Sequence, residues 1–206
     1  MPTLNPSKVV CVGRNYAAHA KELGNEVPTE PLIFLKPPSS IIRKGESIRL
    51  PTVSKQVEYE GEIGVIVGTR LRKATREQAS AAVLGIAAAN DVTARDLQKS
   101  DGQWTRAKGF DTFCCVGDIG KAPADLSSLT VTTRVNGVVR QQGKATDLVF
   151  DIPAILMFIS GVMTLEAGDL VLTGTPEGVG TLAPGDVVEV EIPGVSLVNN
   201  PVTRDN

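Results

Sequence analysis

A nearly continuous hydrophobic run closes an alternating stretch, Val57–Gly68, VEYEGEIGVIVG. Acids stand at every second place, Glu58, Glu60 and Glu62, and Ile63 to Val67 is then apolar apart from Gly64. Val and Ile at this density predict a strand. Residues two apart on a strand share a face at roughly 7 Å spacing, so the three carboxylates are expected on one side. Carboxylates stacked at the end of a buried strand need a cation or a proton to neutralise them, and a hard divalent ion with oxygen ligands meets that need. On a solvated edge strand the same run is an ordinary charged face. The stretch alone does not choose between the two.

The rest of the pattern breaks into short runs. Val9–Val12 predicts a strand ending at Gly13, and Ala17–Leu23 a helix stopping at Gly24. On that helix His19, the single histidine, lies three residues before Glu22 and shares its face. The pair is either surface polarity or a general base oriented by a carboxylate. Asn25–Pro31 is a loop, Leu32–Leu35 a strand, and Ile41–Leu50 one or two strands about a Lys44-Gly45 turn. The segment Gly13–Pro31 is expected at the rim of a site, as a short helix or a mobile lid.

Thr75–Ala89 predicts an amphipathic helix opened by a capping box at Thr75 and Gln78. IAAAND then predicts an apolar strand ending at Asn90-Asp91, with a short helix over Thr93–Gln98. Asp91 either presents a carboxylate ligand or caps that helix. Gly102–Asp111 is predicted as a loop carrying Trp104 and Lys108, where a lysine is by default a solvated one. Val131–Val135 and Val138–Gln141 flank Asn136-Gly137, a hairpin signal, and Ile152–Ile159 is a helix with Pro153 in its first turn. LEAGDLVLTGT and LAPGDVVEVEI each set a Gly-Asp turn before a strand. Between them TGTPEGVG is Gly-rich but lacks the lysine and spacing of a phosphate loop.

With 206 residues, 42% of them hydrophobic, the chain fits one large domain, 1–206, with a sizeable core. Its 20 Gly and 13 Pro among short Val-rich runs make it turn-rich and largely β. A net charge of −2 gives no electrostatic case for nucleic acid or an anionic membrane as partner. Cys11, Cys114 and Cys115 are odd in number and two are adjacent, which suits buried thiols in a reducing compartment rather than a disulfide framework. The N-terminal stretch has an apolar run of only four residues, too short for a signal peptide, and no stretch approaches membrane-spanning length. A soluble, cytoplasmic protein is expected.

Taken in order, GRNYxxHxxE, FLKP, ExE[IL]GV, DVTARDLQ, the WxxxKxF segment at Trp104–Phe110 and LTGTP resemble the fumarylacetoacetate hydrolase (FAH) family over nearly the whole chain. The likeness is to its short single-domain branch of acylpyruvases and oxaloacetate decarboxylases. It implies an α+β, mainly β fold: a rolled mixed β-sheet with flanking helices, assembled as a homodimer. It implies that Glu60, Glu62 and Asp91 bind Mg²⁺ or Mn²⁺, with Glu58 outside the aligned pair. His19 and Glu22 match a water-activating dyad in a lid over 13–31, and Lys108 matches a catalytic lysine. Arg14, Arg95, Gln98, Lys108 and Thr175 match positions around substrate. The long enzymes of the family draw a fourth carboxylate from an N-terminal domain that this sequence lacks, which weighs against their own substrate. Ala18 stands where some close relatives carry Asp.

The resemblance implies Mg²⁺-dependent hydrolysis of a small acylpyruvate-type 2,4-dioxo acid, with pyruvate enolate as the leaving fragment. Oxaloacetate decarboxylation and oxaloacetate keto–enol tautomerisation share that enolate and are the alternatives. A non-catalytic metal-binding protein is the third reading, and the retention of His19, Glu22 and Lys108 beside the three acids argues against it.

Overall fold

The computed structural model describes residues 5–205. The first four residues of the N-terminal stretch lie outside the described residues. The chain opens with β1 (Val9–Gly13), α1 (Ala17–Glu22), β2 (Leu32–Lys36), β3 (Ile41–Ile42) and β4 (Ile48–Leu50). It continues with β5 (Val57–Tyr59), β6 (Gly61–Val67), α2 (Arg76–Ala81), β7 (Val83–Asp91) and β8 (Thr93–Ala94). Next come α3 (Arg95–Asp101), α4 (Thr105–Gly109), β9 (Cys114–Val116), β10 (Gly120–Lys121), β11 (Thr130–Val135) and β12 (Val138–Lys144). The last elements are α5 (Ile152–Val162), β13 (Leu170–Leu172), β14 (Gly180–Thr181), β15 (Val187–Ile192) and β16 (Ser196–Arg204).

The fold is mainly β, built on a curled mixed sheet in the order β2-β1-β13-β6-β7-β9-β3, with β10 beside β7. β1 runs parallel to β13 and β3 parallel to β9, while the other neighbours are antiparallel. A five-stranded sheet, β12-β11-β15-β16-β4, covers it, and a small sheet, β14-β5-β8, closes one end. Every residue of β6 is buried, as a central strand requires. That removes the solvated edge strand as an account of its acids. A Cβ at Gly61 would lie 1.8 Å from Thr133 Oγ1 on β11. Only glycine lets the acidic strand pass this close to the covering sheet.

Several predicted elements are present. β11 and β12 form the expected hairpin, with Asn136 and Gly137 both at positive φ, as a type I′ turn needs. The capping box of α2 is complete, with Thr75 and Gln78 bonded in both directions. Pro153 lies in the first turn of α5, which Asp151 caps. Gly168 and Gly185, at φ 93° and 94°, turn the chain into β13 and β15.

Four expectations are corrected. The helix predicted over Thr75–Ala89 ends at Ala81, and Val83–Asp91 is a strand. Its alanines are buried between β6 and β9, where backbone ladders on both sides outweigh helix propensity. The single acidic strand is two, broken at Glu60, so Glu58 belongs to the small sheet and Glu62 to the large one. Gly102–Asp111 is not all loop: α4 turns within it and carries Lys108 inward, 2% exposed. The helix after Asp91 begins at Arg95 with Ala94 as its cap residue, so Asp91 does not cap it.

Candidate active site

Three strand ends deliver the acids. Glu60 sits in the break between β5 and β6, Glu62 near the start of β6, and Asp91 at the end of β7. All are buried, and one carboxylate oxygen from each lies within 4.8 Å of the others. Buried acids at this spacing repel one another unless cations intervene. Lys108 Nζ bridges Glu60 Oε2 at 2.7 Å and Asp91 Oδ2 at 2.8 Å. Arg95 reaches Glu60 Oε1 at 2.5 Å and Glu58 Oε2 at 2.7 Å, and its Nη1 holds Gln98 Oε1 at 2.6 Å. Lys36, itself 1% exposed, meets Asp91 Oδ1 at 2.5 Å.

The electrostatic result is uneven. Burial alone would raise the Glu60 carboxyl, but Lys108 and Arg95 overcome it and hold its pKa well below the usual range. Burial, then Asp91 and Glu60, push Glu62 well above it. Burial would lower Lys108, but Asp91 and Glu60 reverse that and raise it. Glu62 has the Gly174 amide as its hydrogen-bond donor, at 2.7 Å, and no cation paired with it among the described residues. An all-oxygen set of three buried carboxylates, one of them uncompensated, fits a hard divalent ion.

His19 is 4% exposed, so it is not surface polarity. Its Nδ1 lies 3.3 Å from Glu22 Oε2. A carboxylate can only accept, so Nδ1 carries the hydrogen, and in the neutral ring Nε2 keeps its lone pair, the tautomer a base requires. The Gly178 amide donates to Glu22 at 3.0 and 3.2 Å, tying the dyad to the loop before β14. Upstream, Asn15 anchors the chain through Phe150 and Thr173, and Gly24–Pro31 downstream is exposed or half-buried.

Every predicted site residue except Glu22 lines one cavity of about 50 Å³, and Glu22 stands behind His19. Thr175 commits its hydroxyl to the Gly61 carbonyl at 2.9 Å. Phe34 and Trp104, edge to face at 5.2 Å, form an apolar wall. Arg14, at φ 58°, lays its guanidinium 5.9 Å from the Trp104 ring centre. Sequence reasoning passed over Lys36, Phe34 and the Gly174 amide, and it set Glu58 aside from the metal ligands without seeing that it holds Arg95. A lysine closing the apolar run LIFLK was the one signal for Lys36. The cysteines are free and buried, and burial above all pushes the Cys114 thiol up to about 12, so none is a nucleophile.

A profile of the fumarylacetoacetate (FAA) hydrolase C-terminal region matches residues 8–203. A mitochondrial oxaloacetate tautomerase of Arabidopsis thaliana is 44% identical over 204 residues, spanning 96% of this chain and 92% of that protein. A mitochondrial oxaloacetate decarboxylase of Dictyostelium discoideum is 44% identical over 195 residues, 91% of this chain and 89% of that protein. The crystal structure of a fumarylpyruvate hydrolase from Pseudomonas aeruginosa with Mn²⁺ and pyruvate superposes with a TM-score of 0.92. It is 30% identical and covers 99% of this chain and 92% of its own. No helix among the described residues is long and apolar enough to cross a membrane.

Proposed function

The chain belongs to the fumarylacetoacetate hydrolase family, a family of enzymes, and from that premise we propose that it enolises oxaloacetate, as a keto–enol tautomerase that also releases CO₂. The observation that carries this reading is the buried acid triad facing a cavity of only about 50 Å³. So small a space favours a short 2-oxo acid, and the likeness to proteins named for oxaloacetate tautomerisation and decarboxylation points to oxaloacetate. Glu60, Glu62 and Asp91 would hold Mg²⁺ or Mn²⁺, which when bound acts as a Lewis acid on the keto group of a 2-oxo acid.

The chain's own residues supply the rest. His19 Nε2 takes the proton from carbon 3 and returns it to oxygen, with Glu22 stabilising the imidazolium in between. Lys108 donates to the oxygen on which negative charge develops. Arg95 is held by Glu58, Glu60 and Gln98 and so presents a fixed guanidinium face. Arg14 has no ion pair among the described residues and suits the distal carboxylate. Phe34 and Trp104 limit water.

Acylpyruvate hydrolysis is the second reading. The oriented dyad favours it, because the same Nε2 can deprotonate a water that attacks the distal carbonyl. Product analysis on oxaloacetate, acetylpyruvate and fumarylpyruvate, with Mg²⁺ and with Mn²⁺, separates the two. Rapid loss of enol-oxaloacetate with slower pyruvate release is expected. Acylpyruvate cleavage as the faster activity would reverse the order, and inactivity on all three would leave a metal-binding protein.

The lid is read as the part of 13–31 beyond the anchored Asn15. Hydrogen exchange in α1 and Gly24–Pro31 is expected to slow when oxalate, an enolate mimic, is added with metal. Equal exchange with and without oxalate would show a fixed rim.

A further inference from the structure

Each acid of the triad has one oxygen tied down by a donor built into the fold. Lys36 Nζ donates to Asp91 Oδ1 at 2.5 Å and to the Val92 carbonyl at 3.1 Å. Arg95 Nη2 donates to Glu60 Oε1 at 2.5 Å, and the Gly174 amide to Glu62 Oε2 at 2.7 Å. These donors are not free to drift. Lys36 and Arg95 are 1% and 2% exposed. Gly174 has φ +104°, and a Cβ there would lie 2.8 Å from Asn15 Cβ. Glu62 Oε1 has no hydrogen-bond partner among the described residues, and Glu60 Oε2 and Asp91 Oδ2 accept from Lys108 alone, the one tethering lysine that lines the cavity and that a bound ion would displace from them.

We propose that these tethers, with Lys36 foremost, hold the three carboxylates to one donor oxygen each and so make the site select small octahedral ions, Mg²⁺ and Mn²⁺, against Ca²⁺. Three single oxygens fill half of an octahedron. Ca²⁺ takes six to eight oxygens at longer range and commonly draws a carboxylate into two-oxygen contact. At Asp91 that contact needs Oδ1, which would leave the Lys36 ammonium buried without its anion. Lys36 does not line the cavity and touches the site only through Asp91 and Val92. It is a positioning residue, acting on the shape of the ligand set. The proposal rests on the assignment of the triad as metal ligands and not on the substrate.

Calorimetry on the metal-free protein, with Mg²⁺, Mn²⁺ and Ca²⁺ titrated separately, tests it. The wild-type protein is expected to bind Mn²⁺ at least about tenfold more tightly than Ca²⁺. In Lys36→Met the apolar stem stays and the donor goes, so that ratio should fall by about tenfold, the usual scale of an outer contact to a ligand. Loss of a positive charge changes the affinity of both divalent ions alike, so the ratio isolates the freed oxygen. Lys36→Gln, whose shorter amide cannot reach as the ammonium does, serves if Lys36→Met does not fold. Wild-type binding of Ca²⁺ as tight as Mn²⁺, or an unchanged ratio in the folded variant, overturns the proposal alone. Absence of binding by all three ions overturns the ligand assignment as well.

Discussion

Asp91→Asn and Glu62→Gln are each expected to abolish divalent-ion binding and to cut turnover by about 10³-fold or more. A Lewis acid at a carbonyl is worth several kcal/mol, and about 4 kcal/mol corresponds to that factor. The amides keep the size of the acids and remove the charge that holds the ion. Their effects on stability should part company. Glu62 is crowded by Asp91 and Glu60 and has no cation paired with it among the described residues, so Glu62→Gln relieves repulsion and should unfold no earlier than wild type without metal. Asp91 anchors Lys36 and Lys108 together, so Asp91→Asn weakens two buried ion pairs and should lower the melting temperature. Unchanged Mg²⁺ affinity by calorimetry in both variants would remove these residues from the site.

His19→Ala should lose acylpyruvate cleavage by roughly 10²-fold or more, the usual worth of general-base catalysis. Metal affinity should persist, because His19 lies in α1 and is not one of the three carboxylates. Proton–deuterium exchange at carbon 3 of oxaloacetate, followed beside acylpyruvate cleavage, tells how far the base serves each reaction. A smaller loss in exchange than in cleavage would mean that metal-assisted enolisation runs largely without the histidine. Wild-type rates for both in His19→Ala would leave the dyad without a catalytic part.

The chemistry was legible where it left a local period. Glu60 and Glu62 stand two apart, and His19 and Glu22 three apart, so local spacing singled out both pairs even though the strand breaks at Glu60. Burial was not legible. Asp91 could equally have capped a helix, and Lys108 could have been solvated, until β7 and α4 turned both inward. The run Ala87–Ala89 carries good helix formers, and only its place between β6 and β9 makes it a strand. Lys36 reads as the end of a strand, and its partner lies 55 positions away. Such pairings come from topology, which periodicity does not carry. The family motifs supplied what local pattern could not, by linking the acids, the dyad and Lys108 in one ordered set.

The parallel pairing of β1 with β13, and the antiparallel pairing of β13 with β6, set the order in which a newly made chain can mature. β6 can zip to β7 as soon as both have left the ribosome, but its other edge stays open until Leu170–Leu172 arrives. Through that interval a strand that is fully buried in the finished fold offers unpaired backbone to any neighbour, a state prone to aggregation and slow to resolve because its partner is distant. A truncated chain ending before Leu170 would contain all three acids, the dyad and Lys108, and would still lack both the strand that shields β6 and the Gly174 amide that aims Glu62.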